Sequence, residues 1–399
     1  MDNQKQGHLI GGALLVAGTC IGAGMLAIPV ATGTAGFWPA MVTNVVCWAV
    51  MLCTGLLFLE ATLWMPDGAN VLSIAKRFLG PVGRLVGGIT FLLLYYCLVV
   101  AYLAGGTPAF FGLVHHFFGI TLEGWLGYLL FAAIIGSLIA ISTHVVDKVN
   151  WLLMSGLIIA YFLLVGVGSQ EVDITLYARR NWAMAVPALP IFFVSYGYHN
   201  IIPTISTHLG RKATTLRWAI IIGTLIPLVF YSLWQWIILG TIDEAGLTLA
   251  ASRGTEITDT LRATTGNLWM AKLSLYFSFF ALVTSLLGVS LSMVDFLGDG
   301  FKIKKRSGLK RLALSALVFL PPLVFAKDNP GIFKEMLGYA GGFGEALLNG
   351  FFPIAMVWVG RYRMGLTEHR QLPGGKPLLL LLFAFTLLAT ILEVFHIFN

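Results

Sequence analysis

Two short stretches carry residue types that an apolar segment does not tolerate without a reason. The first is Gly18-Thr19-Cys20-Ile21-Gly22-Ala23-Gly24-Met25, followed by Pro29. Each glycine weakens a helix by about 1 kcal/mol relative to alanine. Close packing through a small-x-x-x-small face accounts for Gly18 and Gly22, but it has no need of Gly24, so the run predicts an unwound segment. The second is Ser195-Tyr196-Gly197-Tyr198-His199-Asn200, with Pro187 and Pro190 before it and Pro203 after it. Polar side chains and freed backbone groups persist in an apolar setting where they are buried in protein or line a cavity. An interrupted helix offers N–H groups at the start of one half and carbonyls at the end of the other, a binding place for opposite charges.

Four acids also fall inside apolar runs: Glu60, Asp295, Glu345 and Glu393. Carboxylates in such places are costly and default to functional candidates. Asp295 lies close to the basic stretch Lys302–Arg306 and is read as its partner. Glu393 lies near a segment end and is read as reaching toward the interface. Glu60 and Glu345, the latter beside Gly341-Gly342-Phe343-Gly344, are the leading candidates for a proton site. His199 belongs to the one residue type that ordinarily titrates near neutral pH, and a hydrogen-bond anchor at the break is an equal reading. Cys20, Cys47, Cys53 and Cys97 are dispersed through apolar runs with no C-x-x-C pair, which reads as packing, with neither a disulfide framework nor a metal site.

The elements that position these residues follow from composition. Of 399 residues, 58% are hydrophobic and 11% charged, against roughly 25% charged in a soluble protein. A soluble enzyme, a nucleic-acid binder and a disordered chain are excluded. A bilayer crossing takes about 20 apolar residues. Eleven such segments are predicted, at 9–35, 36–65, 82–113, 124–142, 149–168, 183–206, 216–240, 269–297, 309–326, 333–358 and 377–398. Backbone at membrane depth must bond internally, so these are helices. Their length without alternation excludes a β-barrel. Residues 1–399 form a single integral membrane domain.

Assigning loops to alternate sides places most of the 25 Lys and Arg on the side of the N-terminus, including Lys76, Arg77, Arg84, Arg211, Lys212, the Lys302–Arg306 cluster, Arg361 and Arg363. The positive-inside rule makes that side cytoplasmic, and eleven crossings put the C-terminus outside. The longest loop, about 241–268, is too polar to cross. Ile257 and Leu261 share one face of a short helix there, which Thr255 or Thr258 is placed to cap. That face has little to bury alone, so the loop is predicted to dock over the outer mouth as a lid.

The two interrupted segments are the first and the sixth, so they cross in opposite directions. Paired breaks at corresponding positions of two halves point to an inverted-repeat secondary transporter. The halves would be 9–168 and 183–358, with 377–398 added.

At these residues the chain resembles the hydroxy/aromatic amino acid permeases. The resemblance rests on Gly11-Gly12-Ala13 through Pro29, on Ser195-Tyr196-Gly197-Tyr198-His199, on Leu59-Glu60-Ala61-Thr62-Leu63 and on Thr284–Ser292. It runs along essentially the whole chain and is nearest to the tyrosine-specific members. Asn200 departs from it where glycine is more usual. The resemblance implies a LeuT-type 5+5 fold of eleven spans with spans 1 and 6 broken. It also implies proton-driven uptake of aromatic amino acids, tyrosine first, across a bacterial inner membrane.

An amino acid zwitterion needs an anion site and a cation site close together. Gly18, Thr19, Gly22, Ala23 and Gly24 form the first wall, the N–H groups of residues 22–24 taking the carboxylate. Ser195, Tyr196, Gly197, Tyr198 and His199 form the second, with carbonyls near Ser195 and Tyr196 taking the ammonium. Gly22 and Gly197 let the substrate approach the backbone. Tyr95 or Tyr96 is placed by the implied fold to close over the carboxylate. Phe192, Phe193 and Tyr198 are candidates for an aromatic pocket. Thr284 and Ser285 match hydroxyls that hold Na⁺ in sodium-coupled relatives of this fold, so proton and sodium both remain as coupling ions. Tryptophan or phenylalanine preference is the nearest alternative substrate. A channel is the alternative of another class, although no ring-forming filter sequence is present. No H-E-x-x-H or phosphate-loop motif suggests an enzyme. The partners expected are the substrate, the coupling ion and membrane lipid, with no cofactor and no nucleic acid.

Overall fold

A computed structural model describes residues 2–121, 124–253, 257–303 and 306–398, with the side chains of residues 2–8 and Asp259 left out. All regular structure among them is helical. Helices α1 (Asp2–Cys20) and α2 (Gly24–Thr32) are halves of one apolar run, bent by 55° across residues 21–23. The glycine-rich stretch therefore unwinds where the sequence predicts it. After a turn at Gly36, whose φ of +90° suits glycine, comes α3 (Phe37–Leu63). A reciprocal cap between Asn70 and Ser73 opens α4 (Val71–Phe118). That helix changes direction at Gly80, ahead of Pro81. Helices α5 (Gly124–Ile141) and α6 (Thr143–Gly168) meet at Ser142, whose hydroxyl caps the second.

The second polar stretch separates α7 (Leu189–Ser195) from α8 (Ile202–His208), with a single 3-10 turn at His199–Ile201 between them. There follow α9 (Ala213–Thr241), the short α10 (Glu244–Arg253) and α11 (Ile257–Thr265), then α12 (Leu268–Gly300) and α13 (Leu309–Asp328). One continuous run joins α14 (Phe333–Tyr339), a π-helical stretch Ala340–Phe351 and α15 (Phe352–Tyr362). The chain closes with α16 (Gly375–Phe398).

Among the described residues nine helices are long and apolar enough to cross a bilayer, and the α1–α2 pair makes a tenth if its halves are one span. The expected sixth segment differs from the rest. It holds two helices of seven residues each, because its prolines and glycine interrupt every longer run. These broken pieces occupy the centre of the bundle, where nearly all of α2 and α7 is buried. Outward-facing Val82, Trp151, Ile159 and Leu381 are each more than half exposed, an apolar exterior suited to lipid.

Within 241–268 the described residues form two helices, α10 and α11, with an inward apolar face. Leu247, Ile257 and Leu261 are fully buried against α2, α9 and α12. Thr258 falls inside the first turn of α11 rather than ahead of it, while Thr255 and Glu256 lie outside the described residues.

Candidate functional site

A cavity of about 580 Å³ lies at the two breaks, and among the described residues none of α10 or α11 lines it. Its wall takes Gly18 and Thr19 from α1, Tyr95 from α4, Gly197 and His199 from the second break, Thr284 and Ser285 from α12, and Glu345 from the π-helical stretch. Eight candidate residues from five separate parts of the sequence thus meet around one space. A volume in the range of roughly 300–1,000 Å³ is usual for small-molecule sites.

The glycines of the first break divide by role. A methyl group on Gly18 would meet nothing within 4 Å, so its open side faces the cavity and makes no packing contact. On Gly22 it would come within 2.2 Å of Ser285 Oγ, and on Gly24 within 2.9 Å of Ser195 Oγ. These two glycines admit α12 and α7 against the unwound turn. The Ala23 N–H, expected to be free, donates to Ser285 Oγ at 2.9 Å. The Gly22 and Gly24 N–H groups have no partner among the described residues. The two half-helices end on a shared group: Tyr231 Oη lies 2.6 Å from Cys20 O and 2.7 Å from Ser195 O. The carbonyl at Ser195, expected to receive an ammonium, is already engaged.

Of the adjacent tyrosines, Tyr95 lines the cavity and accepts a hydrogen bond from Asn200 Nδ2 at 3.2 Å. Tyr96 turns away and donates to Leu317 O of α13. Asn200, the departure from the usual glycine, therefore orients a cavity tyrosine. The expected aromatic pocket of Phe192, Phe193 and Tyr198 is not what the fold builds. Phe193 stacks on Phe385 of α16 with centroids 6.2 Å apart. Tyr198 donates to Met51 O, and Tyr196 to Asn44 Oδ1, both on α3. Phe193 thus packs α7 against α16, and the two tyrosines pin the break that follows it to α3. The aromatic wall is instead Phe58, Phe91, Tyr95 and Tyr102, with Phe91 and Tyr95 stacked at 4.1 Å.

His199 Nε2 pairs with Thr54 Oγ1 at 3.0 Å, and the buried Nδ1 has no partner among the described residues. Glu345 is 6% exposed and accepts a hydrogen bond from Asn349 Nδ2. Glu60 is bound very differently. Arg361 grips it with two bonds of 2.7 and 2.6 Å, and the Gln371 N–H adds a third at 2.8 Å. It is wholly buried and does not line the cavity. Such a forked pair is strong and geometrically specific, and here it ties α3 to α15, with Gln371 adding the segment that follows. Asp295 pairs with Arg306 at 2.5 Å, as its position predicts. Thr284 Oγ1 donates to Phe280 O within its own helix. Outside the helical bundle's apolar part, a hydrogen bond from Thr207 holds the Asp67 carboxyl below the usual carboxylate range, with the Gly68 N–H assisting.

Sequence reasoning missed Tyr231, Tyr102 and Asn150, whose Oδ1 is buried without a partner among the described residues and which lines the cavity. Each sits in an ordinary helical segment, and nothing in its neighbours marks it.

Known proteins bear directly on this arrangement. A sequence profile described as the tryptophan/tyrosine permease family matches residues 5–393. Tyrosine-specific transport system 1 of Haemophilus influenzae is 32% identical over 390 residues, covering 96% of this chain and 95% of that one. Tyrosine-specific transport system 2 of the same organism is 33% identical, covering 93% of each chain. A tryptophan-specific transport protein of Pseudomonas aeruginosa is 30% identical, covering 96% and 93%. With the profile matched almost end to end, the chain belongs to the tryptophan/tyrosine permease family.

Proposed function

We propose that this protein is a secondary active transporter of the bacterial inner membrane that imports aromatic amino acids, tyrosine first, together with protons. The observation that carries this reading is the single cavity at which both helix breaks, an aromatic wall and the Glu345 carboxyl meet. The N–H groups of Gly22 and Gly24, unpaired among the described residues and lying just behind the cavity residue Ile21, receive the substrate carboxylate when the unwound turn opens to it. The carbonyls at the second break beyond Ser195 receive the ammonium, and Phe58, Phe91, Tyr95 and Tyr102 face the ring.

Glu345 is the proton site of this reading. Glu60 is committed to Arg361, which leaves Glu345 as the acid that both lines the cavity and has no cationic partner among the described residues. Proton coupling is favoured over sodium because Ser285 Oγ accepts the Ala23 N–H and Thr284 Oγ1 bonds within α12. The fold reading is the 5+5 inverted repeat, with α1–α2 and α7–α8 as its broken first and sixth spans, eleven in all. The N-terminus and the open mouth of the cavity are placed in the cytoplasm, and the C-terminus and the α10–α11 lid outside.

Counterflow in proteoliposomes tests the substrate. Vesicles preloaded with tyrosine are expected to take up labelled tyrosine transiently, with competition from tryptophan and phenylalanine. Serine counterflow untouched by aromatic competitors would overturn the assignment, and non-saturable flux would indicate a channel.

A further inference from the structure

The α16 helix carries a buried acid that the cavity does not use. Glu393 is 3% exposed, and its Oε1 is sealed from solvent with no hydrogen-bond partner among the described residues. Its position near the helix end predicts a head group reaching the interface, but the side chain turns inward. Two glycines of the neighbouring run make the space. A methyl on Gly338 would lie 2.7 Å from Glu393 Oε1, and one on Gly342 would lie 2.4 Å from its Cβ. The seam is pinned beside it by Thr390 Oγ1, which donates to Gly342 O at 2.9 Å. This is the same helical run that carries Glu345. Glu393 stands at its lid end, since the turn leading into α14 packs on α10, with Gly331 against Arg253 O.

We propose that Glu393 is a second proton-binding carboxyl, loaded from the lid side, and that its occupancy sets the transport rate according to pH there. This rests on the transporter reading above. The groups that face it are Lys334, Glu335 and Tyr339 from α14 and Cys97 from α4. Glu335 Oε2 is likewise buried without a partner among the described residues. Helices α3, α7 and α15, which also pack on α16, bring it no further charge among the described residues. An ionised carboxylate with no bonded partner in an apolar groove is unfavourable, whereas the neutral acid fits without one. Loss of the proton to water on the lid side leaves a charge that draws Lys334 or water into the seam. The seam between α16 and the run bearing Glu345 then loosens. The proton returns to the side it came from, so Glu393 senses pH and carries nothing across.

Carbodiimide labelling of the wild-type protein in liposomes, read by mass spectrometry at the peptide containing Glu393, is the test, because this reagent modifies protonated carboxyls. Modification of Glu393 is expected to fall severalfold as lid-side pH is raised. It should be indifferent to Na⁺ and unchanged by Glu345→Gln. Absent or pH-independent modification would overturn the proposal, and suppression by Na⁺ at fixed pH would make this a cation site instead. Glu393→Gln is expected to flatten the external-pH dependence of tyrosine exchange while leaving the accumulation ratio intact. A wild-type pH profile in that variant would also refute the sensor role. Labelling needs no transport, so its outcome is separable from that of the transport reading.

Discussion

Gly197 and Glu345 are in contact: a methyl on the glycine would lie 2.5 Å from the carboxylate Oε1. The backbone at the centre of the second helix break therefore meets a buried acid directly, with no relay between them. Gaining or losing charge on Glu345 acts at once on the segment proposed to hold the substrate. Gly197→Ala is expected to cut tyrosine uptake about tenfold or more, the cost of roughly 1–3 kcal/mol for an overpacked site, with the protein still present in the membrane. Uptake within twofold of wild type would show that the carboxylate moves aside freely.

The first break makes a similar claim on two residues. Gly22→Ala drives a methyl into Ser285 Oγ, and uptake is expected to fall about tenfold on the same overpacking scale. Adding Ser285→Ala removes the colliding oxygen and should restore part of the loss. A double variant as poor as the single one would mean that Gly22 is needed for substrate approach alone.

The Glu60–Arg361 pair is expected to act on stability rather than on coupling. Breaking a buried ion pair by removing one partner costs about 3–5 kcal/mol. Glu60→Gln and Arg361→Leu should therefore lower the melting temperature and the amount of protein in the membrane. Tyrosine accumulated per surviving molecule should remain driven by the proton gradient. Full stability with lost proton dependence would return Glu60 to the list of proton carriers.

The lid can be probed through its buried face. Leu261 is fully buried, whereas Leu249 is 47% exposed. Leu261→Asp places a charge in the closed contact with α2, α9 and α12 and should impair uptake severalfold more than Leu249→Asp. A cysteine at Ile257 should be labelled more slowly when saturating substrate is present. Equal uptake by the two variants, with labelling indifferent to substrate, would reduce α10 and α11 to a connector.

The helix breaks were legible because glycines and prolines cluster there with polar residues, as at Gly22, Gly24, Pro190 and Pro203, and each weakens or starts a helix locally, whereas single prolines such as Pro227 and Pro108 lie inside unbroken helical stretches. The docked face of Ile257 and Leu261 was legible for a similar reason, as helical spacing is a local property. What stayed hidden depends on partners far along the chain. Glu60 and Glu345 look alike as acids in apolar runs, and only the arrival of Arg361, 301 residues later, separates them. Tyr95 and Tyr96 are sequence neighbours, yet one helical step sends one into the cavity and the other to Leu317. The rings at Phe193 and Tyr198 were misplaced because a break frees the backbone but does not say which neighbour claims each side chain. Tyr231 gave no signal because its partners are two carbonyls, which every residue has.

The measurement that bears most directly on the central claim is tyrosine uptake into proteoliposomes under an imposed pH gradient, with wild type and Glu345→Gln compared side by side. Wild type is expected to accumulate tyrosine above its external concentration without sodium and to acidify the lumen as it does so. Glu345→Gln should still exchange internal for external tyrosine but should build no gradient. Accumulation by Glu345→Gln equal to wild type, or wild-type accumulation driven by sodium alone, would contradict the account.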